Sequence, residues 1–239
     1  STPRFHIDEL RPGRLALDEE ESRHALLSLR LRPGDAVALF DGRGRVADGT
    51  LADETGGRRK RQATVVVDDV RTVPPSARPL TLWVAGCKGP RLAWLVEKCT
   101  ELGVTRLAFT TFTRSVVHVD AELGPKLRRT ALEAAKQSGA AWLPELTGGA
   151  TLPQRLAAPC DGMIVVTHPE PGAPPLGAWL ASTGAPAPLT AVIGPEGGLT
   201  DEELAALRAS EAAVVGLGSQ ILRVETAALA VAATWAAWA

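Results

Sequence analysis

The spacing of hydrophobic positions changes near residue 75. Before it, short apolar runs alternate with turn signals. Residues 36–40 (Ala-Val-Ala-Leu-Phe) read as a strand, the turn Asp41-Gly42-Arg43-Gly44 follows, and 63–67 is a valine-rich strand behind the polar loop 55–62. Turn signals at such short intervals suit a small β-barrel. One helix interrupts it, predicted over 18–29, with acidic residues in the first turn where the helix dipole favours them. Residues 72–79 (Thr-Val-Pro-Pro-Ser-Ala-Arg-Pro) then form the best candidate boundary, because proline stiffens a connector and blocks strand pairing.

Beyond the boundary, strands and helices alternate. A strand is expected at 80–85. An amphipathic helix follows at 90–102, with Leu92, Leu95, Val96, Cys99 and Leu102 on one face and Gly103 closing it. Strands at 106–112, 163–167, 189–193 and 214–217 are interleaved with helices at 125–138, from Thr200 onward, and at 224–238. Thr200 and Glu203 have the spacing of a capping box, which satisfies two orphan amides. The alternation implies an α/β domain with a largely parallel sheet.

Composition narrows the class. The chain has 239 residues, 45% hydrophobic and 22% charged, the profile of a globular protein. No apolar run reaches the roughly 18 residues of a membrane span, and the Ala-rich stretch 227–239 is too short. The opening Ser1-Thr2-Pro3-Arg4 lacks a signal-peptide layout, so a cytoplasmic location and no membrane partner are expected. Three cysteines without CxxC spacing and four scattered histidines predict neither a disulfide framework nor a metal site. The net charge of −1 argues against a globally basic nucleic-acid binder. Residues 1–75 carry thirteen basic and thirteen acidic side chains, so that third is densely charged yet neutral.

In parallel α/β sheets, ligands sit on loops that leave the carboxyl ends of strands. Three such loops carry candidate chemistry: Gly194-Pro195-Glu196-Gly197-Gly198-Leu199, Leu217-Gly218-Ser219-Gln220-Ile221-Leu222-Arg223-Val224-Glu225-Thr226, and Thr167-His168-Pro169-Glu170. Glycines allow close backbone approach to a ligand. The first loop has no Gly-Lys-Ser/Thr ending and no GxGxxG pattern, so it is neither a Walker A loop nor a dinucleotide fingerprint. A nucleotide hydrolase is one alternative, disfavoured by the missing lysine. A non-catalytic RNA-binding protein is another.

The segments 193–199 and 217–229 resemble the cofactor loops of the ribosomal RNA small subunit methyltransferase E family, of the SPOUT class. Lys88-Gly89, Lys98-Cys-Thr-Glu-Leu-Gly103, Arg114-Ser115 and Gln137-Ser-Gly139 follow in the family's order. Arg4-Phe5 and the run 24–44, including Leu29-Arg30 and Phe40-Asp-Gly42, resemble its PUA-like domain. The resemblance implies an α/β, SPOUT-type, trefoil-knotted methyltransferase domain at 74–239, preceded by a small PUA-like RNA-binding β-barrel at 1–73. It implies methylation of N3 of a uridine in small-subunit (16S) ribosomal RNA, as naked RNA or assembled subunit, with S-adenosyl-L-methionine (SAM) as donor and a homodimer as the working form. Two departures stand out: Ala140-Ala141-Trp142 where an arginine is usual after Gln-Ser-Gly, and Lys88-Gly-Pro-Arg-Leu-Ala93 where the family reads Lys-Gly-Asp-Arg-Met and an acidic residue.

On this resemblance, Thr167, His168, Gly194, Glu196, Gly197, Gly198, Leu217, Gly218, Ile221, Leu222, Arg223 and Thr226 are the expected cofactor residues. Loss of the N3 proton spreads negative charge toward the uracil carbonyls, which a cation would stabilise. Arg223 is the candidate, with a salt bridge to Glu225 or Glu196 as its structural alternative. Glu196 and Glu225 are candidate proton acceptors, though either could simply brace a loop. His168 is a further candidate base, with packing beside the cofactor as its simpler role. Arg4, Arg30 and Arg114 are candidate RNA phosphate contacts. The run Arg58-Arg59-Lys60-Arg61 adds auxiliary positive charge.

Overall fold

The computed structural model describes residues 2–55, 62–185 and 187–238. The basic run 58–61 lies outside them. The chain divides into two compact units, residues 1–75 with 135–143, and residues 76–134 with 144–239.

The first unit is built on β1 (Arg4–His6), β2 (Gly13–Ala16), α1 (Glu19–Arg23), β3 (Ala36–Phe40), β4 (Arg45–Thr55), β5 (Gln62–Val67) and β6 (Arg71–Thr72). The sheet runs β1-β3-β4-β5-β2, with β6 on β4, and only the β1–β3 pair is parallel. No ladder joins β1 to β2 among the described residues. In β5 the period of two buries Ala63, Val65 and Val67 against Phe5, Leu15, Leu17, Val37, Leu39 and Leu51. The expected helix at 18–29 is divided. Asp18 caps α1 by accepting the Glu21 amide at 2.7 Å, but residues His24–Ser28 form a π-turn in which the Leu29 amide reaches the His24 carbonyl at 3.0 Å. The buried Ser22 hydroxyl donates to the Leu17 carbonyl and accepts the Ala63 amide, tying the helix to β5.

Residues 135–143 belong to this unit. Asp41 Oδ1 accepts the amides of Arg43 and Arg45, and the turn that follows receives the departing segment Ala140-Ala141-Trp142. The Gly44 amide donates to the Ala141 carbonyl, the Leu143 amide to the Gly42 carbonyl, and the Trp142 indole to the Val73 carbonyl. A Cβ at Gly44, whose φ is +95°, would sit 2.5 Å from the Trp142 ring, so the turn needs glycine there.

The second unit contains β7 (Leu80–Ala85), α2 (Pro90–Glu101), β8 (Arg106–Thr111), α3 (Pro125–Ser138, whose residues from Ala135 on belong to the first unit), β9 (Glu145–Thr151), α4 (Leu152–Ala157), β10 (Met163–Thr167), α5 (Leu176–Thr183), β11 (Leu189–Ile193), α6 (Asp201–Ala209), β12 (Ala213–Val215) and α7 (Val224–Ala237). Its sheet is all parallel, ordered β12-β10-β11-β7-β8-β9. Every residue of the central β11 is buried, as expected of a strand covered on both faces. β9, α4 and α5 have no clear period in the sequence. Gly148 and Gly149 lie within β9, where they admit residues 119–121: a Cβ at Gly148 would clash with the Asp120 carbonyl.

Register brings the strand ends together. Val84 pairs with Ile193, Ile193 with Thr167, and Thr167 with Val215, so β7, β11, β10 and β12 finish level. The capping box opens α6 as the spacing predicts. Its Glu203 does more than cap. Oε2 accepts the Thr200 amide at 2.9 Å, while Oε1 accepts the amide and hydroxyl of Thr113, after β8, at 2.7 and 3.0 Å. Glu203→Ala should therefore destabilise the chain by about 2–4 kcal/mol, against about 1 kcal/mol for Thr200→Ala. Urea unfolding of the two variants checks the order; equal losses would mean the Thr113 contacts carry no net stability.

Candidate active site

At the level ends of β10, β11 and β12 lies a cleft of about 310 Å³, formed by the three loops the sequence singled out. Of the expected cofactor residues, Thr167, His168, Gly194, Glu196, Gly197, Gly198, Leu217, Gly218, Ile221 and Leu222 line it, together with Ile193, Pro195, Leu199, Gly216, Gln220, Val224 and Ala227. Arg223 and Thr226 do not line it. Arg223 is the N-cap residue of α7, exposed, and makes no side-chain capping bond.

Backbone hydrogen bonds within the chain fix the loops. The Gly198 amide closes a turn onto the Pro195 carbonyl at 2.8 Å, and Gly198 has φ +74°. The Gly216 amide bonds the Pro174 carbonyl and its own carbonyl accepts the Leu176 amide, fixing the exit of β12. Gly218, at φ +120°, faces open space, a backbone conformation few other residues adopt.

The lining chemistry discriminates between ligands. Its walls are aliphatic, its polar groups are mostly backbone, its one charged side chain is Glu196, and it contains no lysine or arginine. A polyphosphate would meet no countercharge there, whereas the cationic sulfonium and the adenine faces of SAM fit a site with these walls. Volume and lining both fit an adenosyl cofactor.

Sequence reasoning missed a second cleft. It measures about 680 Å³ and is lined by Gly86, Cys87, Lys88, Gly89, Pro90, Arg91, Arg114, Val116 and Val117, with Pro195, Glu196 and Val224 shared with the first. The signal was present: residues 86–90 are another glycine-flanked loop between a strand and a helix, like the loops that were recognised.

The carboxylates lie elsewhere than their neighbours in sequence suggest. Glu225 is buried, 6% exposed, and Glu196 is open; both approach Arg91 rather than Arg223. Arg91 Nη1 is 3.5 Å from Glu196 Oε1, and Arg91 Nε is 3.5 Å from Glu225 Oε1. The salt bridge considered for Arg223 is thus made by Arg91. The exposed Arg91–Glu196 contact contributes at most about 1 kcal/mol. The contact to Glu225 matters more, since stripping a buried charge of its partner costs about 3–5 kcal/mol. Burial pushes the Cys87 thiol up to about 11, with Glu225 and Glu196 adding to the effect and Arg91 opposing it.

The three RNA candidates differ. Arg4 is half buried: its guanidinium lies 4.2 Å above the Phe40 ring, Nη1 donates to the Ala135 carbonyl at 3.0 Å, and burial lowers its pKa. Arg114 Nη1 donates to the carbonyls of Gly197 and Leu199, so it holds the first glycine loop in place. Arg30 is exposed, in a left-handed conformation (φ +55°) beside the exposed Leu29.

A parallel α/β domain with an adenosyl-type cleft on its strand ends is the framework of a group-transfer enzyme. The model of the RNA methyltransferase domain matches residues 74–236, and that of the RNA methyltransferase PUA domain matches residues 17–59. The chain is 33% identical to ribosomal RNA small subunit methyltransferase E of Mycobacterium bovis, over 94% of this chain and 87% of that protein. It is 32% identical to the Synechocystis protein of the same name, over 83% of this chain and 65% of that protein. In structure it is similar to a methyltransferase from Legionella pneumophila in complex with SAM (TM-score 0.83, 25% identity, 99% of this chain and 98% of that one). It is also similar to ribosomal RNA small subunit methyltransferase E from Neisseria gonorrhoeae bound to SAM (TM-score 0.79, 28% identity, 98% and 96%). The chain belongs to the ribosomal RNA small subunit methyltransferase E family of RNA methyltransferases.

The thiols offer a direct check on the site's burial. Cys99 is raised to about 12 by burial, whereas Cys160 is partly exposed beside the Thr190 hydroxyl. Iodoacetamide at neutral pH should label Cys160 and leave Cys87 and Cys99 intact in the native protein, because only the thiolate reacts. Peptide mass spectrometry reads the outcome; native labelling of Cys87 would show that the second cleft is more open than described.

Proposed function

We propose that this chain transfers the methyl group of SAM to N3 of a uridine in small-subunit ribosomal RNA. The observation that carries the proposal is the first cleft, apolar and free of lysine and arginine, in a chain whose relatives are described bound to SAM. Gly194, Gly197, Gly198, Leu217, Gly218, Ile221 and Leu222 hold the cofactor through backbone groups and aliphatic contacts, with Thr167 and His168 closing one end. Thr226 and Arg223 flank the site on the first turn of α7. When bound, the cofactor supplies an electrophilic methyl group and leaves as a neutral thioether.

The residues of the chain do the rest. Rigid loops align donor and acceptor, which supplies much of the rate. Glu196 stands on the wall common to both clefts and accepts the N3 proton. Glu225, buried and paired with Arg91, acts through that arginine. Arg223, exposed at the N-cap of α7, is the cation assigned to the RNA side of the site. Arg30 is the candidate phosphate contact in the first unit; Arg4 and Arg114 are largely committed to partners within the chain.

We assign residues 1–73 to a PUA-like RNA-binding barrel and 74–239 to a SPOUT domain with a C-terminal trefoil knot. The path of α7 supports the knot: β12 lies at the sheet edge, yet α7 returns to pack on β7, β11 and α2. Ile221 is 92% exposed on the cofactor loop, with Val116 and Trp94 also exposed, which supports a homodimer that covers apolar surface near the site. No helix among the described residues is long and apolar enough to cross a membrane.

Small subunits from a strain lacking this methyl group should gain N3-methyluridine when treated with the purified chain and SAM. Nucleoside mass spectrometry reads the product; SAM binding without added methyl would overturn the substrate assignment. Arg223→Ala should lower kcat/KM on small subunits by about tenfold through a lost RNA contact while the SAM Kd changes little. Equal losses in both would make Arg223 a brace of the cofactor loop. Sedimentation equilibrium should find a dimer, and an active monomer would remove the subunit interface from the site.

A further inference from the structure

The second cleft lies beside the proposed cofactor site, and its chemistry is opposite to that of the first. Three cationic side chains line it, Lys88, Arg91 and Arg114, where the first cleft has none. The two meet at Pro195, Glu196 and Val224. A ligand in the second cleft therefore faces positive charge on one side and the cofactor loops on the other, which is what the acceptor nucleotide of a methyl transfer requires.

We propose that the second cleft receives the acceptor nucleotide, that Arg91 selects uracil there, and that Glu225 is the positioning residue of Arg91. The proposal rests on the reading of this chain as a uridine-N3 methyltransferase. It adds a place for the base and a residue that reads it.

Arg91 has the right chemistry. A guanidinium only donates hydrogen bonds. In uracil, N3 lies between two carbonyl oxygens, both acceptors. In cytosine one of these positions carries an amino group, so a fixed guanidinium would meet a donor and leave both groups unpaired, the arrangement that rejects analogues most strongly. As the N3–methyl bond forms and the bond from methyl to sulfur breaks, the N3 proton passes to Glu196. The charge that develops on the carbonyl oxygens in that step falls to Arg91.

Arg91 is also held without being used up. Its contacts to Glu225 and Glu196, both at 3.5 Å, lie at the outer limit of hydrogen bonding and leave donors available. Glu225 is buried, and its Oε2 has no hydrogen-bond partner. Buried carboxylate oxygens are normally partnered, so this one is open to a further donor. Here the buried carboxylate fixes the guanidinium from behind, while the exposed Glu196 can release it when the proton arrives. Lys88, exposed at the start of the same loop, is placed for the flanking phosphate.

The test uses the whole chain loaded with SAM and an oligoadenylate carrying one central uridine or one central cytidine. Fluorescence anisotropy should show the uridine RNA binding about tenfold more tightly than the cytidine RNA. Arg91→Gln should abolish that preference and cut kcat/KM on small subunits by about a hundredfold with the SAM Kd by calorimetry unchanged, all measured well below a Tm that loss of Glu225's partner lowers. Arg91→Lys, which keeps the charge but loses the planar fork, should not restore the preference. Glu225→Gln should weaken it and Glu225→Asp recover part of it, a rescue that a merely structural role would not give. An Arg91→Gln variant that still prefers uridine, or that loses SAM affinity in step with activity, overturns the proposal. If the parent prefers uridine through Arg91 but leaves N3 unmethylated, the acceptor site stands and the assigned reaction falls.

Discussion

Parallel strands cannot be joined by hairpins, so each strand of the second unit must hand the chain to a crossover that returns it to the opposite end of the sheet. The consequence is that all its exit loops collect on one side of the sheet. Register then decides which of them meet. With β7, β11, β10 and β12 ending level at Val84, Ile193, Thr167 and Val215, four loops from distant parts of the chain converge within one small region. Both clefts, the proposed donor and acceptor sites, follow from that convergence. The burial of β11 on both faces keeps it rigid.

Loops that bind through backbone groups must be held still, and the structure does this with side-chain hydrogen bonds to the strand exits. Glu203 joins the start of α6 to the exit of β8, and Arg114 joins that same exit to the carbonyls of Gly197 and Leu199. The last helix is anchored at its far end as well. The Trp235 indole donates to the Arg78 carbonyl, and the Arg78 guanidinium lies 4.3 Å over the Trp235 ring while donating to the Trp238 carbonyl. Val224 and the residues before it are thereby held at the mouth of the site from both ends. Preorganisation of this kind lowers the ordering cost that a ligand would otherwise meet.

Electrostatics divides the labour between the two clefts. The first contains a single carboxylate and no lysine or arginine, which suits a cationic donor; the second has three cations, which suits an anionic polymer. Their common wall carries Glu196, the one charged group that both ligands would face. Low polarity around Glu225 makes its attraction for Arg91 stronger than the same pair would have at the surface, and makes loss of either partner costly.

Much of this was legible in the amino-acid order. The strands at 80–85, 163–167 and 189–193, the helix at 125–138 and the Thr200–Glu203 capping box follow from local periodicity and spacing, and the structure has them at those positions. Glycines marked the three loops of the first cleft. The π-turn at His24–Ser28 was not legible, because one widened turn leaves no mark on the hydrophobic period; the strand through Gly148 and Gly149 and the use of Ala140-Ala141-Trp142 as a strap on the turn at Gly44 were not, because each depends on a partner far along the chain. The same limit applies to the ion pairs. Sequence proximity paired Arg223 with Glu225 and Glu196, but the sheet inserts β11 beside β7 and brings Arg91 to Glu196 from 105 positions away. Hydrophobic period and turn chemistry are properties of neighbours along the chain and determine the elements. Which charges meet is set by strand order, and strand order does not follow chain order, so only the tertiary structure decided it.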